Sequence, residues 1–178
     1  QTNPTLIDDL IPGTISLGYL EKVLCLLLRE GVPIRDMETI LETLGDHAGA
    51  LKDIDIVTEY VRQALKRTIT RRFAEANSLR VITVDPKVED TIVASVKKSE
   101  AGSYLAMDPD LIQKIVNITS GEIDKVKDVI PNIIILTSPI VRIYFKKLID
   151  QFIPNITVLS YSEIDNTAQI QAIGNIAM

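Results

Sequence analysis

The chain has 178 residues, 46% hydrophobic and 24% charged, with a formal net charge of −5, a profile that excludes a disordered segment and fits a packed globular protein. Acidic and basic residues are mixed along the length, with no basic arm or acidic tail, so charge does not recommend a nucleic-acid partner. A single cysteine, Cys25, and a single histidine, His47, leave no disulfide framework and no zinc site of the common Cys/His types, and a reducing compartment is expected.

From Ser16 to Arg29, the apolar residues Leu17, Leu20, Val23, Leu24, Leu27 and Leu28 share one helical face. Gly31 and Pro33 end that helix, and Cys25 inside it is expected in the core as an inert thiol. Asp36 can cap a second helix striped by Met37, Ile40, Leu41 and Leu44 and stopped by Gly45, which leaves His47 solvated in the loop "GDHAGA". Asp53 or Asp55 opens a longer helix running to about Arg72, with Val57, Tyr60, Val61, Ala64, Leu65, Thr68 and Ile69 on its buried face. No strand pattern precedes residue 78, so residues 1–76 are expected to form an all-helical subdomain.

The small, polar "AEANS" (Ala74 to Ser78) is expected to be a junction near Asn77, the first place a protease would cut. Beyond it the period changes. "LRVITV" reads as a strand, and Asp85-Pro86 opens a helix with Val88, Ile92, Val93 and Val96. "SYLAM" reads as a second short strand, followed by a helix from Asp108-Pro109 to about Val129. "NIIIL" is the next strand, Ser138-Pro139 opens the next helix, and "ITVLSY" and "AQIQAIGNI" complete the set. This alternation predicts a small α/β subdomain over residues 77–178 with a sheet of four or five strands.

A hydroxyl or carboxylate at a strand-to-helix turn raises the question of an active site. In parallel sheets such turns gather at one end, where ligands bind. Asp85, Asp108 and Ser138, however, each precede a proline, and none of their turns contains glycine. Proline removes an amide that would face a phosphate, and two of the three turns place a carboxylate there instead, so capping is the expected role. Asp108 and Asp110 read as a cap and a first-turn acid. No nucleophile, base and orienting group come together, so no catalytic, cofactor or metal residue is assigned and the chain reads as non-enzymatic. The alternative reading is a small α/β enzyme or binding domain acting on a phosphorylated ligand. The longest apolar run, "VLCLLL", is far short of a membrane span. A start at Gln1 without a signal-like segment is expected of a piece of a longer protein.

Two charged helical stretches, "LLREGVPIRDMETILETL" and "TEYVRQALKRTITRR", resemble the FHIPEP export-gate family of flagellar and virulence type III secretion systems. Its members typically show "LLREGVSIRD" and "TEYVRQAL". Leu27 to Asp36 match except that Pro33 stands where serine is commoner, and Thr58 to Leu65 match throughout. The "LIP…SLG" stretch from Leu10 to Gly18, "LTSP" and "VLSYSEI" are similar to the family too. The resemblance implies an inner-membrane protein whose cytoplasmic region has four subdomains and forms a nonameric ring beneath a secretion pore. This chain would be the last two subdomains, lying on the cytoplasmic face and touching the membrane only through a preceding region. The implied role is docking, without cofactor: export substrates, export chaperones and the ATPase stalk protein would be the partners. A flagellar system is favoured over a virulence injector.

For subunit contacts, the candidates are Arg29, Glu30, Arg35 and Asp36 of the matched motif and the acidic line Glu38, Glu42 and Asp46. Glu59 and Arg62 are expected to project from the outer face of their helix, and Lys66 leads a basic end with Arg67, Arg71 and Arg72. Acids on a solvated face, and cations answering a helix C-terminus, explain the same pattern without any partner.

Overall fold

A computed structural model describes residues 4–178. The chain divides into two compact units, Gln1–Phe73 and Ala74–Met178.

Among the described residues, five helices make the first unit: α1 (Pro4–Leu10), α2 (Leu17–Arg29), α3 (Met37–His47), α4 (Ile54–Ala64) and α5 (Lys66–Phe73). Side chains start three of them. The Ser16 hydroxyl accepts from Tyr19 N at 3.1 Å, Asp36 Oδ1 from Thr39 N at 3.2 Å, and Asp53 Oδ1 from Asp55 N at 3.0 Å. After α2 the chain turns at Gly31, whose φ of 72° lies in the left-handed region, and Val32 N–H reaches back to Leu27 O at 3.0 Å. Val23, Leu27, Ile40, Leu44, Val57, Val61, Leu65 and Ile69 form the buried interior.

Three expectations for this unit are corrected. Gly45 does not stop α3, because the ladder continues through Ala48 N to Leu44 O at 2.9 Å; one glycine costs a helix only about 1 kcal/mol. The long third helix is two, interrupted at Leu65 (φ −84°, ψ 17°), although the stripe Val57, Val61, Leu65 and Ile69 stays buried across the break. Cys25 is exposed. "VLCLLL" places six successive apolar residues around a helix that buries only Val23 and Leu27, so Cys25 and Leu28 fall outside.

In the second unit, the sheet has the order β5-β4-β1-β6 with all pairs parallel: β1 (Ser78–Val84), β4 (Ile134–Thr137), β5 (Thr157–Ser160) and β6 (Gln169–Ile176). Between β1 and β4 lie α6 (Pro86–Ala94), the antiparallel pair β2 (Val96–Ser99) and β3 (Gly102–Leu105), and α7 (Pro109–Val126). The helix α8 (Pro139–Asp150) links β4 to β5. A single-turn 3₁₀ helix, Tyr161–Glu163, then starts the crossing to the opposite edge, where β6 forms. The core of this unit includes Ile82, Val88, Ile92, Ile115, Ile135, Phe145, Ile149 and Val158.

Here too the structure departs from expectation. "SYLAM" is not a strand of the main sheet but half of a separate hairpin, and its partner β2 begins at Val96, which the helical stripe had claimed. The polar "AEANS" begins where the second unit begins and is ordered as a turn. Ala76 and Asn77 have φ of 47° and 60°, and Glu75 and Ser78 exchange two backbone bonds of 2.9 Å, as in a tight turn between paired strands. Asn77 Nδ2 donates to Thr167 O at 2.7 Å, fastening that turn to the start of β6.

Candidate interaction surfaces

Among the residues singled out in the helical unit, the structure separates inner from outer. Arg62 is 1% exposed, and its guanidinium Nη1 lies 3.5 Å from Glu30 Oε2. Glu59 is 7% exposed. Neither projects outward as expected. Both α2 and α3 pack on α4, so α4 is covered on more than its apolar stripe and carries charge inward. The stretches "LLREGV" and "TEYVRQAL" therefore contribute a pair within the chain, Glu30 with Arg62.

Asp36 is spent locally: its Oδ2 also accepts from Thr39 Oγ1 at 2.8 Å. Glu38, Glu42 and Asp46 are exposed at i, i+4 and i+8 on α3, and Arg29 and Arg35 are exposed before it. Lys66, Arg67, Arg71 and Arg72 are exposed on α5, with Arg72 lying 5.4 Å over the Phe73 ring. His47 is half-buried rather than solvated, because its ring stacks on Tyr60 with centroids 4.3 Å apart and planes 13° off parallel. The sequence pattern also missed exposed Leu17 and Leu28 on α2.

At two of the three proline-marked turns of the α/β unit the side chain is engaged in capping. Asp85 Oδ1 accepts from Lys87 N and Asp108 Oδ1 from Asp110 N, each at 2.9 Å, so both carboxylates cap their own helices. Ser138 makes no side-chain cap, contrary to expectation; its N–H donates to Glu89 Oε1 at 3.0 Å. Thr137 is buried and donates to Ser138 O at 3.0 Å. Asp108 follows the hairpin, so it does not share the end of the main sheet with Asp85 and Ser138.

What the sequence did not reveal is how the two edges of this sheet are finished. Thr157 N–H faces β4, donating to Ile133 O at 3.2 Å, so alternation turns Ile156, Val158 and Ser160 outward. Charged side chains meet them there. Lys146 Nζ donates to Ile156 O at 2.8 Å, and Arg142 Nη1 to Val158 O at 3.1 Å. Ser160 N–H donates to Glu163 Oε2 at 2.7 Å, and that oxygen lies 4.0 Å from Arg142 Nε. Arg142 and Glu163 are both 0% exposed. These ions are caps for the main-chain groups of a buried edge, which would otherwise lack partners. The opposite edge, β6, is exposed from Gln169 to Ala172.

The architecture that emerges is an all-helical unit followed by a parallel α/β unit. The chain belongs to the FHIPEP family, whose model matches residues 1–169. It is 39% identical over 175 residues to the flagellar biosynthesis protein FlhA of Bacillus subtilis, covering 98% of this chain and 26% of that protein. Among solved structures it superposes on the nonameric SctV-C of EPEC with a TM-score of 0.85 at 30% identity, covering 97% of this chain and 52% of the other. It also superposes on CdsV from the complex of Chlamydia pneumoniae CdsV and CdsO, with a TM-score of 0.86 at 34% identity, covering 99% and 52%. The chain thus spans about a quarter of the flagellar relative and about half of these structures.

Proposed function

We propose that this chain is the ring-forming and docking part of the cytoplasmic region of a flagellar protein-export gate, held at the inner membrane by other parts of the protein. The observation that carries the reading is the superposition, over 97% of the chain, on a relative solved as a nonamer. The complex of CdsV with CdsO supports docking of a partner protein on this architecture. Export substrates, export chaperones and the ATPase stalk protein are the proposed classes of partner, and no catalytic step is assigned. The higher identity to a flagellar protein than to the virulence structures supports the flagellar system.

For the ring contact, the acidic line of Glu38, Glu42 and Asp46 and the basic residues of α5 led by Lys66 are the proposed complementary surfaces, with Arg29 and Arg35 beside them. A head-to-tail ring needs two different surfaces on each copy, and these are opposite in charge and exposed. Sedimentation of the whole cytoplasmic region tests this. Glu42→Lys should weaken assembly without lowering the melting temperature, and high salt should act in the same direction. Assembly indifferent to both would remove these residues from the contact.

A further inference from the structure

Gln169 N–H donates to Asn77 O at 2.9 Å, and Ile176 O accepts from Asp85 N at 2.8 Å, so both residues turn their main-chain groups toward β1. Strand alternation then points those of Ile170 and Ala172 away from the sheet. The register irregularity of β6 lies beyond Ala172, which leaves Gln169 to Ala172 regular. All four residues are exposed, Ile170 to 44%. From Gln169 onward the sequence reads "QIQAIGNIAM", without Lys, Arg, Asp, Glu or Pro. Those are the residues that ordinarily blunt an edge strand. On the β5 side the same sheet uses charged residues to close its edge.

We propose that the outer edge of β6, from Gln169 to Ala172, accepts an extended polypeptide segment of low charge as an added strand. The N–H and C=O groups of Ile170 and Ala172 supply the hydrogen bonds, and the Ile170 side chain supplies an apolar contact. Strand addition draws affinity from main-chain groups common to every sequence, which suits a docking protein that receives many export substrates. That choice of occupant rests on the export-gate reading above. The competing occupant is a second copy. Pairing β6 with β6 uses one patch twice across a two-fold axis, and a ring of odd number, like the nonameric relative, leaves one copy out of such pairing.

The test is amide hydrogen exchange, read residue by residue by NMR on the isotope-labelled chain. The probe is a short capped peptide of alternating threonine and valine, N-methylated along one edge so that it cannot stack on itself. An isomer methylated along both edges is the control. Exchange at Ile170 and Ala172 should slow by about tenfold or more with the first peptide and not with the second. The amides of Gln169 and Gln171, already turned toward β1, should keep their rates. Ile170→Lys should weaken the peptide by about tenfold or more without lowering the melting temperature. Protection confined to other amides, or equal protection by the control, overturns the proposal. So does protection of Ile170 and Ala172 that appears without peptide as the chain is concentrated, because it reports paired copies. Assembly of the whole cytoplasmic region is measured alongside. Intact rings with an unprotected β6 sink this inference alone, whereas absent rings strike the export-gate reading.

Discussion

At the β5 edge, the outward main-chain groups are met by Lys146, Arg142 and Glu163, whereas at the β6 edge those of Ile170 and Ala172 face solvent. The difference follows from burial. Ile156, Val158 and Ser160 are at most 6% exposed, so water cannot satisfy their outward groups and the protein must. Gln169 to Ala172 of β6 are exposed, have water for that purpose and need no ions. A buried arginine and glutamate here complete the hydrogen bonding of an edge. The helical unit holds a comparable pair in Arg62 and Glu30, there between helices rather than at a strand.

The comparison is broken most forcefully at Arg142. Removing one member of a buried pair costs about 3–5 kcal/mol, so Arg142→Met or Glu163→Ala should each destabilise the α/β unit by that order in urea unfolding. The double variant should cost less than the sum, because each single change strands the other group. Losses near those of ordinary surface substitutions would mean that the ions are not structural caps. Arg62→Glu sharpens the contrast in the helical unit. Reversing a charge that is 1% exposed beside Glu30 should lower the melting temperature markedly; an unchanged melting temperature would return Arg62 to the surface. Smaller again is Ala76→Gly. Ala76 holds a φ of 47°, and relief of that strain should stabilise the turn by about 0.5–1 kcal/mol. The least effect belongs to the open edge: Ile170→Lys should move stability by no more than about 0.5 kcal/mol, as surface changes do.

The alternation of strand and helix was legible because each turn carries its own signal. Asp85-Pro86, Asp108-Pro109 and Ser138-Pro139 mark three helix starts, and runs such as "NIIIL" mark buried strands. The hairpin was hidden because "VKKS" has one apolar residue, and Val96 also fits the face of α6. Sheet order is decided by long-range packing, so the placement of β5 and β6 on opposite edges left no local trace. Arg62 and Glu59 were misplaced because an apolar stripe marks one buried face of a helix, while α4 is covered from two sides. Charge at an inner position looks, in sequence, like charge at an outer one. The exposure of Glu38, Glu42 and Lys66 agrees with their pattern, but a pattern of exposed charge names no partner.

The most direct test of the ring-forming claim is therefore a charge exchange, read by sedimentation and electron microscopy of the whole cytoplasmic region. Glu42→Lys and Lys66→Glu, made singly, should each weaken the ring. Combined in every subunit, they restore opposite charges across the contact and should restore assembly toward that of the parent. Rings equally weak in the double variant, or unaffected by either single change, would contradict an assembly built on these two faces of the helical unit.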